Sequence, residues 1–595
     1  MMENGRYLIT TADERTWKFD RPVIFLGEWC RVYDRKSLWQ DMDAIVAEPY
    51  GLGKLQKDED HAKAHDIEEK LFPVLCARLN QYHGIQYSER FWRILLGHWL
   101  RRYIDVIYNR IKTLQQCLEV HQVSGTTGFI GKNYSLVTIN SSAAIRAYSD
   151  DRWNNELYLK ILEALGVNDC SIELVADEIS EGNSMRESAP VMVAKESVKK
   201  RAVTWLFQQL GRVPVLFDVE NKAFIINSYL PVKQEIKLHL LTGQVPRFFV
   251  SEKLELKKKP NKQIRLSLSE KMPAGTGDSF FDIISNLLFQ LIPVCYLEGF
   301  SELSDKVQQL PWPEKPKCIF TSNNFDMDEV FKLWTALNTE SGIQYYCGQH
   351  GNNYGSYRYM FPSIEESTAD KFITWGWKDG LSQHIPGFIF KTAGQKAKEY
   401  DRNGGLLLIQ LHEPHRISTW DATFEFSEYF ADQGRFVENL QAIPRENITL
   451  RLHSGYRCAH WCEESRWHDF DKNIKIDTGS TPIGRLIAQS RLVVHSYDST
   501  GILETLSQNI PTLAFWQNGF DHLRESAKPY YQLLVDAGIV HLTPESVAQK
   551  VNEVWDDVDG WWGQRKVQEA RQQFCARYAR VSKNPVRELK KILLS

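Results

Sequence analysis

The chain has no run approaching the roughly 20 consecutive apolar residues needed to span a bilayer, so no transmembrane helix is expected. Its opening, Met1-Met2-Glu3-Asn4-Gly5-Arg6, lacks the basic start and apolar core of a secretory signal. Cysteine is sparse: ten residues scattered through 595 are too few for a disulfide scaffold, which points to a reduced, cytoplasmic protein. Charge of one sign is also lacking. With 72 basic and 75 acidic residues the net charge is −3, and a general nucleic-acid binder would need a basic surplus. The signature loops of several enzyme classes are missing too. There is no Walker A loop, no GxGxxG after a strand and no G-x-S-x-G elbow.

What is present fits a soluble globular protein of two or three domains, 43% hydrophobic and 25% charged. Eighteen Trp and 24 Tyr suit sugar-stacking surfaces, although large cores and peripheral membrane contacts use the same residues. The C-terminal third is the most regular part. Leu406–Leu411, Ile448–His453, Ile474–Asp477, Arg491–His495 and Thr512–Trp516 read as short buried strands. Helices are expected between them, over residues 422–440, from Ser480 to Gln489 and from Ser499 to Gln508. Alternation of this kind predicts a parallel sheet covered on both faces, with ligands at the carboxyl ends of its strands.

The first 400 residues are less regular. Pro22–Gly27 reads as an opening strand, followed by long helices over Glu59–Tyr82 and Ser88–Val120, the second rich in Trp and Arg. Further strands are expected at Tyr134–Asn140, Val213–Asp218, Phe224–Tyr229, Arg247–Val250, Ile292–Leu297, Lys317–Thr321, Gln344–Cys347 and Lys371–Trp375. The lysine-rich stretch Lys253–Lys262 reads as a solvated loop or hairpin. Glycines and charges over Gly394–Gly405 suggest a boundary between an N-terminal domain, 1–395, and a C-terminal domain, 396–595.

Two segments carry chemistry. Gly348-Gln349-His350-Gly351-Asn352-Asn353-Tyr354-Gly355 follows a strand and sets an imidazole in a glycine-lined loop, suited to proton abstraction or to a structural turn. Gly351 leaves room for a substrate, and Asn352, Asn353 and Tyr354 can hydrogen-bond sugar hydroxyls. The second segment, His495–Glu504, leads from a strand into a helix. Ser496, Ser499, Thr500 and Gly501 place hydroxyls and backbone N–H groups where a phosphate can be held without lysine. Ser499 also suits a plain helix cap, and Glu504, one turn in, can accept from a ribose or sugar diol. Arg451 and His453 end a strand of the same sheet and alternate to one side, towards the same crevice. His412, Glu413, His415 and Arg416 follow the first strand of that sheet.

A cluster of His453, Cys458, His460, Cys462 and His468 lacks the paired spacing of a zinc finger and reads as an irregular loop, so no metal site is expected. Asp326-Met327-Asp328 and Asp41-Met42-Asp43 have Asp-x-Asp spacing. The first suits a helix cap better, and the second has no strand just before it.

Over nearly its whole length the chain resembles a family of transferases encoded in bacterial O-antigen and surface-polysaccharide clusters. The matching residues are Leu8–Ala12 with Thr16-Trp17-Lys18, Phe25–Cys30, Phe91–Leu100, Gln349-His350-Gly351, Thr374–Trp377 and His495–Glu504. More distantly it is similar to CDP-glycerol glycerophosphotransferases and capsule Kdo transferases. That resemblance implies a GT-B-like α/β fold: two Rossmann-like domains facing a cleft, the first with helical additions. It implies a base at His350 and donor phosphate at Ser499 and Thr500. Those enzymes often place proline after the histidine that maps onto His453, whereas Ser454 stands here.

The expected activity is metal-independent transfer of a sugar from a nucleotide-activated donor, the co-substrate, with no resident cofactor. The expected acceptor is a saccharide or lipid-linked saccharide at the cytoplasmic face of the inner membrane, where peripheral association is an option. Polyol-phosphate transfer, or a non-catalytic sugar- or nucleotide-binding role in an assembly complex, are the alternatives.

Overall fold

A computed structural model describes residues 5–51, 53–129, 136–167, 170–176, 223–242, 249, 251–273, 275–395, 399–411 and 426–595. Among the described residues the architecture is α/β with three sheets, and every strand pairing within them is parallel. The first sheet has the order β3-β2-β1-β4-β5 and comprises β1 (Arg6–Ile9), β2 (Val23–Phe25), β3 (Ala44–Val46), β4 (Val123–Phe129) and β5 (Ser171–Val175). The second, β10-β9-β8-β7-β6, comprises β6 (Ala223–Ile226), β7 (Cys318–Thr321), β8 (Gln344–Gly348), β9 (Lys371–Thr374) and β10 (His384–Pro386). The third, β13-β12-β11-β14-β15-β16, comprises β11 (Gly405–Ile409), β12 (Ile448–Arg451), β13 (Lys475–Asp477), β14 (Ser490–His495), β15 (Thr512–Phe515) and β16 (Val540–His541).

The additions before residue 176 therefore include a sheet as well as helices. β1, which precedes the strand expected at Pro22–Gly27, is its centre. Two expected strands are not strands where they are described. Val294–Tyr296 is a 3-10 turn, because Val294 and Cys295 send their N–H groups to Thr138 and Ile139 rather than to a ladder. Residues 136–140 lead irregularly into the Ser141–Ala147 helix, whose cap is Asn140. The stretch 213–218 and most of 247–250 lie outside the described residues, as do His412, Glu413, His415 and Arg416.

The Trp- and Arg-rich helix, Glu89–Val120, is a core element. Ser88 caps it by accepting from Phe91 N–H at 3.2 Å. Trp92, Leu95, Leu96, Trp99, Leu100, Tyr103 and Ile107 are buried at helical spacing. Three of its arginines are held by carboxylates inside the protein: Arg93 and Arg101 hold the buried Glu68, and Arg102 holds Asp326 through both carboxylate oxygens. Among the described residues no helix is long and apolar enough to cross a membrane. Lys253–Lys259 is irregular and largely exposed.

The second and third sheets meet at their carboxyl ends, the two-lobed GT-B-like arrangement expected for the fold. The loop after β8 lies against the loops after β14 and β15. Tyr357 bridges to Leu523, and Arg524 N–H donates to Ser356 O at 2.8 Å. The last helix, Pro585–Leu594, leaves the third sheet and returns to the second, where Val586, Leu589 and Leu593 pack with Ile225, Phe320 and Ile373. On another side, Tyr33 and Lys36 from the first sheet's layer both reach Asp469, at 2.7 and 2.8 Å.

Candidate active site

β8 is apolar and buried through Tyr345, Tyr346 and Cys347 and ends at Gly348. A Cβ there would sit 2.5 Å from both Phe390 and Ser322, so the strand end admits only glycine. Gln349 then fixes the loop: its Oε1 accepts from Trp375 N–H (2.7 Å) and Trp377 Nε1–H (2.8 Å), while its Nε2 donates to Gly351 O (2.8 Å). His350 is thus carried on a turn held by the buried Gln349 and is itself half-buried.

Its ring lies between aromatic neighbours, with Tyr229, Tyr354 and Phe325 centroids at 5.8, 5.2 and 5.5 Å. The Tyr354 hydroxyl lies 3.1 Å from His350 Nδ1 and donates to Glu365 Oε1. His98 Nε2 lies 3.0 Å from Glu365 Oε2, and since a carboxylate only accepts, His98 is the donor. A phenol has one proton. With that proton on Glu365, the Tyr354 oxygen accepts from His350 Nδ1–H, and Nε2 keeps its lone pair. Burial pushes the His350 imidazole below its ordinary range; Glu365 and Asp326 oppose the shift, whereas Lys391 and His98 add to it. Burial also disfavours the Glu365 carboxylate, but hydrogen bonding and charge from His98, with the Tyr354 hydroxyl, outweigh it and hold the group down at about 2.

The second loop meets the first directly. Asn352 N–H donates to Thr500 Oγ1 at 3.1 Å, and Asn352 Nδ2 to Asp498 Oδ1 at 2.6 Å. Asp498 also holds His522 Nε2 at 3.0 Å, and its carbonyl accepts from Tyr357 OH at 2.8 Å. Ser499 caps the Thr500–Ser507 helix by accepting from Ile502 N–H at 3.3 Å, and its hydroxyl lies 3.1 Å from His495 Nδ1. His495 is fully buried, and burial pushes its imidazole down to about 3. Gly501 lies over that ring. The leading N–H groups of Thr500 and Gly501 have no partner inside the helix by construction, and the helix dipole makes this end attractive to an anion.

Not all of the residues singled out from sequence are available to a ligand. Ser496 is buried; it donates to Ile409 O at 2.9 Å and meets Tyr429 OH at 2.7 Å, tying β14 to β11. The Asn352 and Tyr354 side chains are engaged as described, while Asn353 is half-buried. Arg451 is paired with Asp477 on the neighbouring strand. Arg451 and His495 flank Ile409 in one row of the third sheet, about 10 Å apart at two strand spacings. His453 is exposed, and its Nδ1 accepts from Gly455 N–H at 3.1 Å. Glu504 is paired with Lys391 across the cleft at 3.2 Å. Asp328 caps the Glu329–Glu340 helix, and Asp326 is the partner of Arg102. Among the described residues no group of three or more His, Cys, Asp or Glu is arranged to hold a metal ion.

Sequence reasoning missed Glu365, His98, Lys391, Tyr229 and Asp498. His98 stands inside Phe91–Leu100, one of the stretches that carry the family resemblance, and Asp498 stands inside the second loop. Glu365 and Lys391 had no local signal.

No curated protein matches the chain in a sequence search. Several solved structures are similar to it. Acinetobacter baumannii MurG has 9% identity and a TM-score of 0.31, covering 63% of this chain and 99% of its own. A putative UDP-N-acetylglucosamine 2-epimerase from Listeria monocytogenes has 12% identity and a TM-score of 0.34, covering 63% and 95%. A histidine-to-asparagine variant of the wall teichoic acid polymerase TagF has 11% identity and a TM-score of 0.30, covering 67% and 95%. The model of the LIC12162 family transferases matches residues 6–593, so the chain belongs to that family.

Proposed function

We propose that this transferase moves a sugar from a nucleotide-activated donor to a saccharide acceptor of a surface polysaccharide, with His350 as general base. The observation that carries the reading is the junction of the two loops. A histidine whose Nδ1 lies 3.1 Å from the Tyr354 hydroxyl stands two residues from Asn352, and the Asn352 N–H is bonded to the Thr500 hydroxyl at the start of a helix. Nε2 takes the proton of the acceptor hydroxyl, the acceptor oxygen bonds to the sugar's anomeric carbon, and the bond from that carbon to the phosphate oxygen breaks. The charge on the departing nucleotide is met by the N–H groups of Thr500 and Gly501, by the Thr500 hydroxyl proton and, as its pair with Glu504 opens, by Lys391. These groups supply that stabilisation without calling on a metal ion. Holding both partners at one junction supplies proximity, and excluding water limits donor hydrolysis.

We assign Gly351 and Asn353 to the acceptor side, and Gly501 and Glu504 to the donor side. Arg451 and His453 belong to the donor side's periphery, Arg451 acting only if its pair with Asp477 opens. All ten cysteines are free thiols, which suits a reducing cytoplasmic setting. A calorimetric screen of the purified protein against CMP, CDP, UDP, GDP and TDP tests the reading. One nucleotide should bind well above the others, and failure of all five to bind would contradict it.

A further inference from the structure

We propose that Tyr354 and Glu365, backed by His98, are positioning residues for the transfer: they lock His350 in its Nδ1–H form and carry the positive charge its ring acquires. The inference rests on His350 being the base.

Four side chains from three separate parts of the chain line up. His98 comes from the Glu89–Val120 helix, Glu365 from the short Ile364–Thr368 helix, and Tyr354 and His350 from one turn. The links are 3.0 Å from His98 to Glu365, a short contact from Glu365 to Tyr354, and 3.1 Å from Tyr354 to His350. Burying a carboxylate costs several kcal/mol unless it is well met, so a bare structural role for Glu365, which is 3% exposed, would be an expensive choice. The turn is built to aim Tyr354 backwards. Ser356 Oγ donates to Asn352 O at 2.6 Å, and Gly355 adopts φ 72° where a Cβ would sit 2.5 Å from the Trp377 ring. Glu365 itself sits in the first turn of a helix whose capping box, Ser363 with Glu366, is complete without it. Its carboxylate is therefore not needed by the cap, and its two oxygens meet His98 and Tyr354.

When Nε2 takes the acceptor's proton, Nδ1–H stays in place and donates more strongly to the Tyr354 oxygen. The Tyr354 proton leans further onto Glu365, so no net proton leaves the ring. The other groups facing His350 are Asp326, already held by Arg102, Lys391, already paired with Glu504, and the rings of Tyr229 and Phe325. Asp326 favours the protonated ring as Glu365 does, while Lys391 and His98 oppose it. Of the two carboxylates, Glu365 is the one linked to the ring by a hydrogen-bonded path.

The test uses full-length protein labelled with 15N-histidine, with the His350 signals identified by their loss in His350→Ala. In the wild type, Nδ1 should carry the proton and Nε2 should be bare at neutral pH. Tyr354→Phe should mix the two tautomers. Glu365→Gln should lower the His350 titration midpoint by about one pH unit, because the ring loses a nearby anion. Nucleotide release from a panel of UDP-, GDP-, TDP- and CMP-activated sugars should fall roughly tenfold or more in kcat in both variants, with KM for the donor unchanged. Should Tyr354→Phe fail to fold, Glu365→Gln and His98→Asn carry the same readouts. An unchanged tautomer and midpoint in the variants overturns the relay while leaving the base intact. Wild-type turnover by His350→Ala overturns the base itself.

Discussion

Gly501 is the position where a single methyl should do most damage. A Cβ added there would sit 2.6 Å from His495 Cε1 and 3.2 Å from His495 Nδ1. The imidazole cannot retreat, since it is fully buried and bonded to Ser499. If the ring moves, Ser499 moves with it, and the cap on Ile502 N–H is lost. Overpacking of this kind costs about 1–3 kcal/mol, and a lost cap adds about 1 kcal/mol. In a domain of this size each kcal/mol shifts the melting midpoint by about 2–4 °C. Gly501→Ala should therefore lower the midpoint, followed by tryptophan fluorescence, on the order of 10 °C. Gly351→Ala is the control: its Cβ would meet Asn353 Oδ1 at 3.2 Å and Thr500 Oγ1 at 3.5 Å, both able to give way. A Gly501→Ala protein melting with the wild type would refute the packing argument.

Three other outcomes follow from the same geometry. His495 stays neutral in the fold down to about pH 3 but takes a proton near pH 6.5 when unfolded. Its share of stability is therefore lost as pH falls through that window, by about 1.4 kcal/mol per unit; the difference between wild type and His495→Phe in acid denaturation should show this slope. Thr500→Val removes a hydroxyl from the anion cradle while keeping its shape, and should weaken nucleotide binding roughly tenfold by calorimetry; equal affinity would count against the cradle. Asp498→Ala leaves Asn352 and His522 without their acceptor and should cost about 2–3 kcal/mol in denaturant unfolding.

Local signals told the truth where structure is local. The strands at β11, β12, β14 and β15 were legible as apolar runs, and Ser499 and Asp328 as caps. So was the placement of His350 in a loop after β8. What could not be read is what depends on distant partners. The Trp- and Arg-rich composition of the Glu89–Val120 helix suits a core element or an acceptor-facing surface alike, and only the fold shows Arg93, Arg101 and Arg102 held against Glu68 and Asp326. Glu365 becomes meaningful only when His98, far away in sequence, meets it. Ser496 has the right chemistry for a phosphate, but the fold commits its hydroxyl to Ile409 and Tyr429. The strand expected at Ile292–Leu297 is apolar enough, but its backbone bonds to residues 138 and 139 instead of joining a sheet.

The central claim is that His350 is the base of the transfer. The direct measurement compares His350→Ala with wild type in nucleotide binding by calorimetry and in turnover of the same donor. The account predicts nucleotide affinity within about twofold and turnover reduced roughly 10²–10⁴-fold. Turnover within a few-fold of wild type would contradict it.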